Sequence, residues 1–167
     1  MNIHSSAVIY PKVSLEEGVR IGANTVVGAY PLMLEFKGRQ RVRQEFTGEV
    51  VIEDDVDIGA NCVIVGGVVG STIIRRGVFI AHGSIIGHDC DIGEGTVIST
   101  NVTLNGHVEV GTYSFIASNT VIPPKIKIGS LTMIGMGSVV TKDVPDKVIA
   151  YGSPCRVIRD NLWRPPK

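Results

Sequence analysis

Every sixth residue of this chain is aliphatic over long stretches. The series opens with Ile3, Ile9, Leu15, Ile21 and Val27, and resumes with Ile52, Ile58 and Ile64. It then runs unbroken through Ile74, Ile80, Ile86, Ile92, Ile98, Leu104, Val110, Ile116, Ile122, Ile128, Ile134 and Val140. A second series sits two places earlier and is small or β-branched: Val13, Val19, Thr25, Val56, Cys62, Val78, Ser84, Cys90, Thr96, Val102, Val108, Ser114 and Thr120. Glycine often follows the aliphatic residue, as in Ile21-Gly22, Ile58-Gly59, Ile92-Gly93 and Ile128-Gly129. A fixed period marks a repeat architecture. Two inward residues and a turn in every six describe one short strand and one corner of a triangular prism, and three such units make a coil of eighteen. Strands of a sandwich or barrel would alternate without this lock at six.

Two interruptions break the phase. Residues 31–49 show no hexad pattern and carry Lys37, Arg39, Arg41 and Arg43, and a shorter insertion lies near Gly66–Ser71. Insertions in a solenoid map to loops on its edge, often on the binding face. The hexads stop at Val144-Pro145-Asp146, and the tail at 145–167 is expected to cap the exposed last coil, as an open β-edge requires. The prediction is an all-β fold, a left-handed parallel β-helix of about seven coils. One domain spans 1–167, with a projecting loop at 31–49 and a short C-terminal cap.

Composition narrows the function classes. Charged residues are 19% and the formal net charge is zero, so nothing calls for nucleic acid. The first residues lack the basic and apolar regions of a signal peptide and no apolar run reaches spanning length, so no membrane insertion and a cytoplasmic location are expected. Cys62, Cys90 and Cys155 are an odd set without CxxC spacing. Cys62 and Cys90 fall at inward positions and read as buried thiols.

The register also places the chemistry. His88 lies two residues after Ile86 and therefore points outward at a corner, beside Asp89. Eighteen residues later Gly106 stands over His88, and His107 over Asp89. An imidazole can take the proton of an attacking amine or hydroxyl, and a neighbouring carboxylate fixes its tautomer. A glycine one coil above offers a backbone N–H to the oxyanion of a tetrahedral intermediate. No Ser or Cys pairs with His88 in this register, which favours direct acyl transfer over a covalent acyl-enzyme. His82 sits one hexad earlier, on another face, and reads as structural. His107 is either a substrate contact or a second partner for Asp89. No metal site is expected: a zinc enzyme of this fold needs histidines paired five apart, and His82 and His88 are six apart.

The segments Gly87-His88-Asp89-Cys90-Asp91-Ile92-Gly93 and Thr103-Leu104-Asn105-Gly106-His107-Val108 resemble the active-site region of hexapeptide-repeat acyltransferases. The likeness is to the UDP-N-acetylglucosamine O-acyltransferases and glucosamine N-acyltransferases of lipid A biosynthesis. The nucleotide-sugar N-acetyltransferases are similar around His88. The resemblance spans residues 1–150 and implies His88 as general base, Asp89 as its orienting residue and Gly106 as the donor to the thioester carbonyl. It also implies a homotrimer with sites in the clefts between prisms. Two departures from the lipid A enzymes stand out: no helical pattern follows the repeats, and Val65-Gly66 replaces a charged pair.

The stretches Ile134–Pro145 and Gly152–Ile158 resemble instead the ends of coenzyme A-dependent acetyltransferases. That likeness implies acetyl-CoA as donor, with Gly135 and Gly137 beside its pantetheine arm. Lys142 and Arg156 then meet its phosphates or are simply solvated. Arg39, Arg41 and Arg43 suit a phosphorylated acceptor, or else pack on a neighbouring subunit. The expected function is acetylation of an amino (or hydroxyl) group on a nucleotide-linked sugar. Transfer of a longer chain from acyl carrier protein (acyl-ACP), or a non-catalytic scaffold, are the alternatives.

Overall fold

Inward aliphatic residues force the chain to wind, because each can be buried only by standing on its counterpart in the next coil. The computed structural model describes residues 1–43 and 46–165, the side chains of Leu34 and Arg43 excepted, so the expected part of Arg43 lies outside the described residues. Strands of two to six residues build a left-handed parallel β-helix with three faces. The first face stacks Asn2–Ile3, Arg20–Ile21, Asp57–Ile58, Phe79–Ile80, Val97–Ile98, Phe115–Ile116, Met133–Ile134 and Val148–Gly152. The second stacks Val8–Ile9, Val26–Ala29, Val63–Val65, Ile85–Ile86, Thr103–Leu104 and Val121–Ile122. The third stacks Val13–Leu15, Glu49–Ile52, Ser71–Ile74, Asp91–Ile92, Glu109–Val110 and Lys127–Ile128. Bridges from Val121 to Val139 and from Ile128 to Val144 complete a seventh coil, and Val148–Gly152 adds an eighth rung to the first face.

The register is the one the hexads predict. Ile86 pairs with Leu104 and Leu104 with Ile122, each eighteen residues on. The two insertions stretch that interval lower down, where Ile21 pairs with Ile58 and Ile58 with Ile80. The aliphatic stack is buried from Ile21 upward, whereas Ile3, in the first coil, stays 38% exposed with no coil beneath it. The polar members of the second series are buried too, and they rivet coil to coil. Thr96 Oγ1 donates to the Gly111 carbonyl at 2.7 Å and accepts the Ser114 N–H at 3.1 Å. Ser114 Oγ repeats this with the Gly129 carbonyl and the Thr132 N–H, at 2.8 and 3.1 Å. Among the described residues no buried side-chain nitrogen or oxygen lacks a partner.

The tail caps the prism. Val148–Gly152 and Cys155–Asp160 form an antiparallel hairpin on the first face, and the Cys155 N–H donates to the Val139 carbonyl at 2.8 Å. All three cysteines are free and buried. The long insertion is more ordered than its sequence implies: Leu34–Lys37 and Gln40–Arg43 pair as an antiparallel hairpin. The hexad pattern registers only residues that belong to a coil, so a hairpin outside the prism leaves no mark on it. Both insertions leave the prism at one corner, between the second and third faces. Among the described residues, no helix is long and apolar enough to cross a membrane.

Replacing Thr96 by the isosteric Val keeps the volume but strands the Gly111 carbonyl and the Ser114 N–H. Unfolding by urea should show a loss of about 1–3 kcal/mol, whereas Glu109→Ala on the surface should cost about 1 kcal/mol or less. Equal costs for the two would remove the hydroxyl ladder as a stabilising element.

Candidate functional site

The corner between the second and third faces is built, coil by coil, from Tyr10–Lys12, the long insertion, Gly66–Gly70, Gly87–Cys90, Asn105–Val108 and Pro123–Ile126. Chemistry and insertions therefore share one edge. Asp89 and His107 each take a left-handed backbone, with φ of 55° and 60°. This is a conformation that Asp and His tolerate better than branched residues do. It closes the turn in one residue and lets the next strand begin.

The His88 Nδ1 atom lies 2.7 Å from Asp89 Oδ2, and the His107 ring stands edge-on to the His88 ring with centroids 5.0 Å apart. The predicted juxtaposition of His88, Asp89, Gly106 and His107 is therefore present. His107 Nε2 is 3.9 Å from Asp89 Oδ2, too far for a tight hydrogen bond. Asp89 is only 9% exposed, and its carboxylate also accepts the backbone N–H groups of Val68, at 3.0 Å, and of Gly70, at 3.1 Å. Burial alone would raise the Asp89 pKa. The His88 hydrogen bond, the Val68 N–H and the charges of His107 and His88 outweigh it and hold the carboxyl below the usual aspartate range. An ionised Asp89 must be matched by a proton on His88 Nδ1, and in the neutral imidazole that tautomer keeps the lone pair on Nε2.

That free nitrogen lies against Gly106. A Cβ on Gly106 would occupy the space of the His88 atoms Nε2 and Cε1, so only glycine admits the ring here. The Gly106 residue is buried, yet its N–H has no acceptor among the described residues. A nucleophilic thiol is not at hand: burial pushes Cys90 up to about 12, and its Sγ is turned to the Asn105 carbonyl at 3.1 Å.

Two structural partners escaped the sequence reading. One is the pair of N–H donors in the short insertion. The other is Met33, which brings the long insertion to a cavity of about 540 Å³ that Val68, Val69, Ile73, Asp89, His107 and Glu109 also line. The only sequence signal for either was the loss of hexad phase. Arg39 and Arg41 are exposed and form no ion pair among the described residues. Lys142 stands on the His88 corner three coils higher, whereas Gly135 and Gly137 lie at the corner between the first and second faces. Arg156 belongs to the capping hairpin, opposite Tyr151. His82 is structural, as expected, its Nδ1 accepting the Ala60 N–H at 2.8 Å. His88, Asp89 and His107 each place one ligand-type atom within 4.8 Å of the others. Within this trio Asp89 also holds His88 Nδ1 and the two amides of the short insertion.

Comparison with known proteins bears on the repeat and on the family it resembles. The bacterial transferase hexapeptide family (six repeats) matches residues 71–106, the segment holding His88, Asp89 and Gly106. The chain is 44% identical over 140 residues to the UDP-3-O-acylglucosamine N-acyltransferase of Syntrophus aciditrophicus, covering 84% of this chain and 39% of that one. It is 34% identical over 117 residues to the enzyme of that name from Janthinobacterium, covering 66% of this chain and 33% of the other. The chain thus spans less than half the length of these curated relatives. Among solved structures, the UDP-N-acetylglucosamine acyltransferase of Bacteroides fragilis superposes with a TM-score of 0.86 at 26% identity, over 96% of this chain and 61% of that one. The Campylobacter jejuni counterpart gives 0.76 at 26%, over 96% and 75%. The expected resemblance to hexapeptide-repeat acyltransferases therefore holds.

The depressed Asp89 pKa sets a sign for acid stability. A carboxyl whose pKa is lower in the folded state contributes stability above its unfolded pKa, about 3.9, and loses it as pH falls through the folded value. Wild type should therefore exceed Asp89→Asn in stability at neutral pH by a margin that shrinks below about pH 4. Hydrogen exchange at the Val68 and Gly70 amides should quicken in the variant. A margin independent of pH would show that the carboxylate charge does not brace this loop.

Proposed function

Taking the chain as a hexapeptide-repeat protein of the left-handed β-helix class, we propose that it transfers an acyl group from a thioester to an amino (or hydroxyl) group of a nucleotide-linked sugar. The observation that carries this is the free Nε2 of His88 beside the unpaired Gly106 N–H. An unpaired buried donor is rare and calls for a partner, and the oxyanion formed on thioester attack is one.

In this reading the acceptor amine attacks the thioester carbonyl while His88 Nε2 takes its proton. The carbonyl electrons move to an oxyanion that accepts from the Gly106 N–H. Collapse of the tetrahedral intermediate breaks the carbon–sulfur bond, and the imidazolium returns the proton to the leaving thiolate. Asp89 steadies the positive imidazole without taking its proton. His107 stands on the far side of Asp89, its Nε2 3.9 Å from the carboxylate. The names of the similar enzymes support an acyl acceptor linked to UDP.

Acetyl-CoA is the proposed donor. Lys142, on the same corner and roughly 14 Å above His88 by coil spacing, is placed to meet a phosphate of an arm lying along the prism edge. Gly135, Gly137 and Arg156 sit across the second face and are assigned to the coenzyme of the adjacent cleft. The outward residues support that assembly. Phe79 and Phe115 on the first face and Ile85, Val121 and Val139 on the second are exposed, whereas the third face carries the ion pairs Arg75–Asp91 and Glu109–Lys127. Exposed apolar faces of this extent mark contacts between chains, and a closed homotrimer buries them. A longer chain from acyl carrier protein is the second reading, favoured by the acylglucosamine acceptors in the relatives' names.

His88→Ala should leave the assembly intact by sedimentation and lower acyl transfer by about 10²-fold or more. The assay follows thiol release from acetyl-CoA with UDP-linked amino sugars. Unchanged turnover would remove His88 from the chemistry. Thermal shifts with coenzyme A and acyl-pantetheine separate the donors, since only a bound donor raises the melting temperature.

A further inference from the structure

The root of the long insertion encloses a second, smaller cavity, about 110 Å³, lined by Tyr10, Lys12, Tyr30, Phe46, Gly66 and Gly67 among others. A water's share of liquid volume is about 30 Å³, so this space suits one planar heterocycle. Its walls are of the right kind. The Tyr10 and Tyr30 rings meet edge-to-face with centroids 5.2 Å apart. Neither phenol hydroxyl has a hydrogen-bond partner among the described residues. Lys12 Nζ ties the root together by donating to the Thr47 carbonyl at 3.2 Å.

Its position matters more than its shape. The cavity lies on the edge that carries His88, between the first and third coils, while His88 belongs to the fourth. From the middle of this span to His88 is on the order of 10 Å, a distance that a ribose and diphosphate bridge. The wall between this cavity and the larger one at His107 is the short insertion. Gly66 and Gly67 face the tyrosines, and Val68 and Gly70 give their N–H groups to Asp89. The two insertions touch through glycine, since a Cβ on Gly48 would meet the backbone of Gly67 and Gly70.

Resting on the acceptor proposed above, we infer that the Tyr10–Tyr30 cavity binds the nucleobase of the sugar nucleotide, so that the diphosphate runs along Gly66–Gly70 and the sugar reaches His88. Specificity for a nucleotide-linked over a simple phosphorylated sugar then resides where the two insertions leave the prism, below the His88 coil.

The test compares two acceptors, a UDP-linked amino sugar and the same sugar 1-phosphate, in wild type, Tyr30→Ala and Tyr30→Phe. Loss of base–aromatic contact should lower the kcat/KM preference for the UDP-linked acceptor by about 5- to 100-fold in Tyr30→Ala. Tyr30→Phe, which keeps the ring, should retain most of that preference. Calorimetry with UDP alone should show the same loss of affinity in Tyr30→Ala. An unchanged preference and unchanged UDP affinity in Tyr30→Ala would overturn the inference while leaving acyl transfer by His88 standing. UDP binding that depends on Tyr30 in a protein that acylates no sugar would instead keep the cavity and overturn the reaction.

Discussion

Coil-on-coil stacking is the constraint from which the rest of this molecule follows. An inward Ile or Leu in a two-residue strand has little to bury against within its own coil, so nearly all its stabilisation comes from the residues above and below. Burial of such side chains contributes about 1.5–3 kcal/mol each, and the stack holds only while every coil returns in phase. The phase tolerates added residues only at corners, where the chain is outside the prism. Both insertions obey this: Val26 still pairs with Val63, and Val63 with Ile85, despite the extra residues between them.

That tolerance is what makes the site. Excess chain at one corner, stacked under His88, gives the protein material with which to shape a cavity without disturbing the core. Met33, Val68 and Val69 line it, and the short insertion turns two amides towards Asp89. The rigid part supplies the spacing of His88, Gly106 and His107; the inserted part supplies the environment of Asp89. A histidine set at a tight corner between stacked strands, with its carboxylate partner held by a loop, is a sound division, since stacked strands fix geometry better than loops do.

This division also explains what could be read from the chain. The hexads give the fold, the coil count and the stacking of Gly106 over His88 and His107 over Asp89, because strict periodicity converts sequence separation into spatial distance. The buried Thr and Ser positions were readable as inward, though their riveting role was not, since it depends on which carbonyl the hydroxyl finds. The clasp of Val68 and Gly70 on Asp89 uses backbone groups, which carry no residue signature. The hairpin of the long insertion and the approach of Met33 were equally hidden, because neither belongs to the repeat. Arg39 and Arg41 drew attention by charge, yet the structure gives them no partner among the described residues.

The unpaired Gly106 N–H gains its meaning from the corners where the same group is satisfied. At several corners the backbone N–H two residues past the inward aliphatic meets a side chain of the coil above. Ala60 donates to His82 Nδ1 at 2.8 Å, Thr112 to Ser130 Oγ at 3.1 Å and Ser130 to Asp146 Oδ1 at 2.7 Å. At Gly106 the residue above, by the pairing of Leu104 with Ile122, is Pro124, whose ring offers no acceptor. The coil below presents His88, whose ring fills the space a side chain would take. At those corners a side chain closes the donor; at Gly106, a buried residue beside the histidine that Asp89 holds, the donor stays open among the described residues. A buried N–H without a partner costs about 1–3 kcal/mol, a cost that the stacking of seven coils can absorb and that a substrate oxygen would recover.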